Sequence, residues 1–310
     1  MEGGGSGIGD LCTQVPERVS RDVHPDDEGP YSRFRFVVGA IVLVFTHLPT
    51  DALSSLLKVS DIPATIHSFH SLLVNGVTDP VWVLHKSFPD FLTDPGRCRD
   101  QNFFVDPPVH HHEILLSCLD LMKEGLKKHI CDPDGCPPPD KVEDLPARRK
   151  AWIRDMLEYS CRFWTNHLAG VSSADHDVDR VQKAVDELFA TWLLFWIEVL
   201  IITGNLDMGV YTFSDVQHWY KSVSCVRSIH SGNVFMLVQT EVSCKHANEG
   251  HRFLPEYSDA IYDFPSYIYY STLPLCPRLI LASWMLQHRA LTGRVKCEPF
   301  SRMRSYRTVV

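Results

Sequence analysis

The sequence predicts a mainly α-helical protein, a winged-helix module followed by an irregular helical array. Three observations carry that expectation. Apolar residues recur at helical spacing over most of the chain, no segment alternates at period two for long enough to build a sheet, and one short apolar stretch through Val81, Val83 and Leu84 follows a turn signal at Asp79 and Pro80. With 310 residues, 45% of them hydrophobic, the chain can enclose a core without disulfide or metal staples.

Region 1–30 opens on a glycine-rich lead, Met1 to Gly9. A helix follows from Asp10 to Asp22, with Leu11, Val15 and Val19 four residues apart, and then the polar linker HPDDEGP. The expected module spans 31–94. Its first helix runs from Phe34 to Phe45; Pro49 and Thr50 start a second whose inner face is Leu53, Leu56 and Leu57. Asp61 is positioned to cap a third, with Pro63 in the first turn, where its missing N–H leaves no bond unmade. Ile66, Phe69, Leu72 and Leu73 form that helix's inward stripe, and Asn75 and Gly76 close it. A short strand and a further helix from Lys86 complete the pattern of three helices, strand and wing-like turn.

Region 95–270 is expected to be helical. Ile114, Leu115, Cys118, Leu119, Met122 and Leu126 trace one face of a helix from Val109 to Ile130. A proline-rich loop, Pro133 to Asp140, precedes a helix that opens at Leu145 and Pro146, contains Trp152, Met156, Tyr159, Phe163 and Trp164, and ends at Gly170. Ala174 to Thr203 reads as a long helix or a bent pair, Thr212 to Val242 as mostly helix, and Glu256 to Ile268 as a last short one. Phe189, Trp192, Phe195, Trp196, Trp219 and Tyr220 are assigned to core packing. Region 271–310 is a basic tail, in which Arg289, Arg294, Lys296, Arg302, Arg304 and Arg307 face the lone acid Glu298.

Charge and cysteine usage narrow the function classes. The 30 basic and 38 acidic side chains leave a formal charge of −8, which disfavours a dedicated nucleic-acid binder and confines that option to the basic tail. The 10 cysteines are scattered and several fall in apolar helical patterns, so buried free thiols in a reducing, cytoplasmic setting are expected. The first residues show neither signal-peptide nor transit character. The longest apolar run, Leu188 to Thr203, is shorter than the ~20 residues of a membrane span and contains Glu198, which predicts a buried helix and no membrane partner.

Catalytic motifs are sparse. GGGSGIGD does not continue into the Lys and Ser or Thr of a phosphate loop, and no strand precedes it. His110, His111 and His112 with Glu113 form the densest metal-capable cluster, but consecutive helical side chains point about 100° apart. Asp106 and His110 make the nearby i,i+4 pair; a solvated helix start is the preferred reading, with a small zinc-dependent hydrolase built on His110 to His112 as the alternative. Cys131 and Cys136 have a loosely zinc-like spacing without a second pair. No nucleophile elbow or cysteine-protease flank is present. The expectation is a protein that is not an enzyme and holds no metal. The third helix of the module has no Lys or Arg, so protein packing is preferred over DNA reading there.

A resemblance sharpens this. VWVLHKSFPDFLTDPGRC looks like the L-H-x-S-F-x-D-F-L stretch that follows the nucleotide-binding domain of fungal NACHT-type signal-transducing NTPases, the STAND class of NOD-like and vegetative-incompatibility switches. FRFVVGAIVLVFTHLPTDALSSLLKV resembles the start of their winged helix. FFVDPPVHHHEILLSCLDLMKEGLKKHICD, DLPARRKAWIRDMLEYSCRFWTNHL, FWIEVLIITGNLD and DAIYDFPSYIYYSTLPLCP are similar, in order, to the helical region between the NTPase core and a WD-repeat propeller. The resemblance covers roughly Asp10 to Pro277. It implies a non-catalytic regulatory linker, without phosphate loop or propeller, that acts by protein association, with an intact NACHT relative as the expected partner. In related NB-ARC proteins the His of a Met-His-Asp motif contacts ADP; Leu84, His85 and Lys86 resemble that motif with a lysine in the acidic position. His85 is accordingly a nucleotide-binding candidate only when an NTPase core is present, and the chain by itself is expected to hold no cofactor.

Overall fold

The computed structural model describes residues 28–60, 62–67, 73–74, 80–83, 87–131, 144–172, 177–230, 234–263 and 268–269. The fold is mainly α-helical, as the periodicity predicts. The chain divides into two compact units between Ser117 and Cys118.

In the first unit, α1 runs from Glu28 to Leu43, α2 from Thr50 to Leu57 and α3 from Ile62 to His67. Helix α1 starts six residues before the expected Phe34, inside the supposed linker. Pro30 sits in its first turn, where no intrahelical N–H is needed, and Tyr31, Phe34, Val38 and Ile41 are buried along one stripe. Pro49 precedes α2, which buries Ala52, Leu53, Leu56 and Leu57, the expected inner face with one addition. Lys58, at φ 54°, ends α2 by donating its N–H to the Ser54 carbonyl. Helix α3 packs on both α1 and α2, and Val37, Leu53, Leu56, Ile62 and Ile66 are buried.

The third helix is shorter than expected. Leu73 is the end of no helix but lies in β1, Leu73–Val74, paired antiparallel to β2, Trp82–Val83, with Leu73 opposite Val83. Apolar spacing alone fits a buried strand residue as well as the last turn of a helix, and pairing with Val83 decides it. The expected wing turn falls mostly within residues 75–79, and with Asp61, Phe69, Leu72 and residues 84–86 lies outside the described residues. Helix α4, Ser87–Leu92, follows, and Val105 returns to donate its N–H to the Leu92 carbonyl at 2.9 Å. Phe103 fills the space beside α1, with ring centroids 5.6 Å from Tyr31 and 5.3 Å from Phe34. Helix α5, Pro107–Gly125, then continues from the first unit into the second.

In the second unit the expected inward face of α5 is confirmed: Cys118, Leu119 and Met122 are buried, as is Leu126 just beyond its end. The single helix expected from Leu145 to Gly170 is two, α6 Leu145–Trp152 and α7 Asp155–Gly170. Ile153 is extended at φ −102° and ψ 91° and buried, so the chain turns to insert its side chain. Arg149 bridges the break by donating to both carboxylate oxygens of Glu158 at 2.8 and 2.9 Å.

The long segment before Thr203 is a bent pair. Helix α8, Val178–Glu187, passes through a π turn, Leu188–Trp192, into α9, Leu193–Thr203. The wider turn shifts the helical register, and Trp192, expected in the core, is partly exposed with the Lys123 ammonium 5.5 Å from its ring centre. Helix α9 is buried from Leu193 through Ile201, consistent with an apolar surface on all sides. Gly204, at φ 72°, supplies the left-handed residue that ends it.

Helix α10, Leu206–His230, and α11, Val234–Asp263, pack along each other. The separate helix expected from Glu256 is the last part of α11, which continues through Pro255. A side chain at Gly250 would run into the Phe213 ring, so glycine there sets the closeness of α10 and α11. The centre of this unit is a ring of four aromatics, Trp164, Trp196, Phe213 and Phe189, with successive centroids 6.2, 5.7, 6.0 and 6.5 Å apart and edges turned toward faces. The Trp196 indole N–H donates to the Cys161 carbonyl at 2.9 Å. Cys98, Cys118, Cys131 and Cys161 are buried free thiols, as expected, while Cys244 is half-buried.

Candidate functional site

The histidine cluster at the start of α5 is not a solvated helix start, because His110 and His112 are buried. The His110 ring lies flat against Gly39 of α1, and a methyl group added at Gly39 would sit 2.6 to 2.8 Å from ring atoms. Burial, with smaller contributions from His111 and Arg35, pushes His110 down to about 4, so it is neutral at pH 7 and serves as a packing group. His111 turns the other way to stack on Phe45, centroids 6.1 Å apart, and burial lowers its pKa too. His112 Nδ1 lies 3.7 Å from Glu113 Oε1. Asp106 is exposed and accepts the His110 N–H through its backbone carbonyl, so the i,i+4 pair does not converge as ligands. Three consecutive helical positions thus send their rings in different directions, and no group of three His, Cys, Asp or Glu side chains among the described residues could hold a metal ion.

The remaining candidates divide by position. His85, Cys136, the glycine-rich lead and the basic tail lie outside the described residues. Cys131 is buried, and its carbonyl accepts from the Arg148 guanidinium at 3.2 Å. No helix among the described residues is long and apolar enough to cross a membrane.

Two further arrangements lie outside the sequence motifs. The first is a set of buried polar pairs in the second unit. Glu198 on α9, only 3% exposed, accepts from the His129 N–H at 3.0 Å and the Tyr269 hydroxyl at 2.6 Å. Desolvation pushes its carboxyl up to about 7, against the opposing pull of Tyr269, the His129 N–H, Lys128 and the Ile130 N–H. The Tyr220 hydroxyl donates to Asp186 Oδ1 at 2.5 Å, and Tyr159 pairs with His167 Nε2 at 2.8 Å. Glu198 and Asp186 each meet a donor from another segment, which suits them to holding elements in place, whereas Tyr159 and His167 pair within α7. The signal was legible: an acid inside an apolar run has to find donors.

The second is an exposed aromatic patch in the first unit, centred on loop 44–49. Phe45 is 46% exposed and stacks on His111; His47 meets Trp82, itself 42% exposed, with centroids 6.1 Å apart. Leu48, next to His47, is buried, and its carbonyl receives the Val81 N–H at 2.9 Å. That bond anchors the loop and leaves its aromatic side chains facing outward. No family model, curated protein or solved structure matches the chain.

Proposed function

We propose that the chain is a non-catalytic regulatory scaffold of the NACHT-type signalling class, acting through association with the nucleotide-binding core of an intact relative. The exposed aromatic patch on loop 44–49 carries this reading. Large aromatic rings that stay exposed, each backed by a histidine, have the character of the anchors that dominate protein interfaces. In the resembling family the winged helix lies against the NTPase core, and the patch belongs to the segment that resembles that module. The order of three helices and an antiparallel pair in the first unit supports the same reading. So does the second unit, where buried polar groups join helices to each other. On this reading His85 contacts nucleotide only after a core has docked, donating to a phosphate in one state and losing it in the other.

The test is sedimentation of the full chain with a purified NACHT core from such a relative, with and without ADP. A complex weakened at least tenfold by Phe45→Ser combined with Trp82→Ser is expected. Absence of a complex, or one indifferent to both changes, overturns the reading.

A further inference from the structure

Helix α6, Leu145–Trp152, buries none of its residues. A free helix of this length is marginal in water, because its costly first turn is offset by few hydrogen bonds, and most helices in proteins are stabilised by a packed face. Polar ties hold this one instead. The Arg148 guanidinium donates to the Cys131 carbonyl at 3.2 Å, Arg149 grips both carboxylate oxygens of Glu158, and the Lys127 ammonium rests 4.0 Å from the centre of the Trp152 ring. Trp152 nevertheless stays 44% exposed. Helix α6 and segment 126–131 thus form one surface of the second unit, on which an exposed ring and several cations lie side by side.

The charge on this surface is predominantly positive. Between Asp144 and Asp155 the chain carries Arg148, Arg149, Lys150 and Arg154 and no acid, and segment 126–131 carries Lys127 and Lys128 and none either. Two neighbouring cations show how such a group takes up a carboxylate. Glu187 meets the Lys123 ammonium at 2.7 Å beside the Trp192 ring, and Glu158 closes on Arg149. Lys127 repeats the first arrangement, ammonium against tryptophan, and Lys150 follows Arg149 in sequence. Both are exposed, and among the described residues neither meets a carboxylate.

We propose that α6 and segment 126–131 form a docking surface for an acidic peptide segment of a partner protein, whose carboxylates meet Lys127 and Lys150 and whose apolar side chain covers Trp152. The charge and its extent select this occupant. The basic stretch is bounded by Asp144 and Asp155 and belongs to a chain of net charge −8, which repels a long run of phosphates, whereas a few carboxylates fit within it. An exposed tryptophan next to cations suits a chain that brings an apolar group along with its acids. Nothing in this surface depends on the aromatic patch of the first unit.

Fluorescence anisotropy of a labelled peptide of repeated Glu-Glu-Leu, titrated with the full chain, tests it. Binding is expected that weakens as salt is added, and that falls roughly fivefold to tenfold when Lys127→Gln is combined with Lys150→Gln. Lys150→Gln alone removes no contact of the folded chain and should cost about twofold to threefold, whereas Lys183→Gln, exposed on α8, should cost nothing. Phe45→Ser combined with Trp82→Ser should leave this binding unchanged, so the present reading and the association of the first unit fail separately. Equal binding of a Gln-Gln-Leu peptide, no binding at all, or indifference to the lysine pair overturns the proposal. So does tighter binding of polyuridylate or of phosphatidylserine vesicles, which would give the surface to another class of ligand. Binding that emerges only after Asp132, Asp134, Asp140 and Glu143 are replaced by their amides would give it to the chain's own acids and overturns the partner.

Discussion

His110 in the first unit and Glu198 in the second are both taken out of water, and the same cause gives them opposite responses to acid. Desolvation favours the neutral form of each, lowering the base to about 4 and raising the acid to about 7. What differs is the surroundings. His110 rests on the bare backbone of Gly39 with His111 and Arg35 nearby, all of which disfavour a positive ring. Glu198 is met by donors that favour its charge, yet they do not make up for the lost hydration. The first unit uses its buried titratable group as packing, whereas the second uses its own as a tie between segments.

The largest expected effect sets the two cores apart. Trp196→Ala removes the shared member of two contacts in the aromatic ring and its bond to the Cys161 carbonyl, and should cost about 3–5 kcal/mol. Region-resolved hydrogen exchange should show the loss in the second unit while peptides of α1 and α2 keep their protection. Simultaneous loss in both would mean that the units unfold as one.

Next is pH. Lowering pH from 6.5 to 4 should destabilise the first unit by on the order of 3 kcal/mol, because the unfolded His110 takes up a proton that the folded one refuses. His110→Leu should flatten that dependence. Raising pH from 4.5 to about 7 should destabilise the second unit by a similar amount, because the folded Glu198 retains a proton that the unfolded one has lost. Urea midpoints across this range, measured beside Glu198→Gln, check the sign.

Glycine substitutions come third. Gly39→Ala meets the His110 ring and Gly250→Ala the Phe213 ring, and each should cost about 1–3 kcal/mol in thermal unfolding. The Gly250 change should cost more, because Phe213 is locked between Phe189 and Trp196. The smallest effect is expected at the surface. Phe45→Ser and Trp82→Ser should each leave stability within about 0.5 kcal/mol of the parent, so that any loss of association reports on the surface and not on the fold.

Much of the helical layout was legible. The start of α2 and the buried face of α5 follow from proline placement and apolar periodicity, which left the segment before Thr203 open between one long helix and a bent pair. Less of the candidate site was. A run of three histidines looks like a solvated helix start or a metal cluster, and only the close approach of α1 at Gly39 shows why the first is packed against backbone. Glu198 was readable as a misfit in an apolar run, but its donors at 129, 130 and 269 are about 70 residues away on either side. The breaks at Ile153 and Leu73 escaped because one apolar residue satisfies helix, strand and turn until a neighbour fixes its direction.

The sequence by itself determined the mainly α-helical class, the inner faces of α2 and α5, and the presence of an acid where an acid is costly. Those properties depend on residues within a turn or two of each other. Tertiary structure alone decided which buried groups stay neutral, which ring packs on which glycine and which aromatics remain outside. Desolvation and hydrogen bonding act through space, and the groups that set them in this chain come from distant segments.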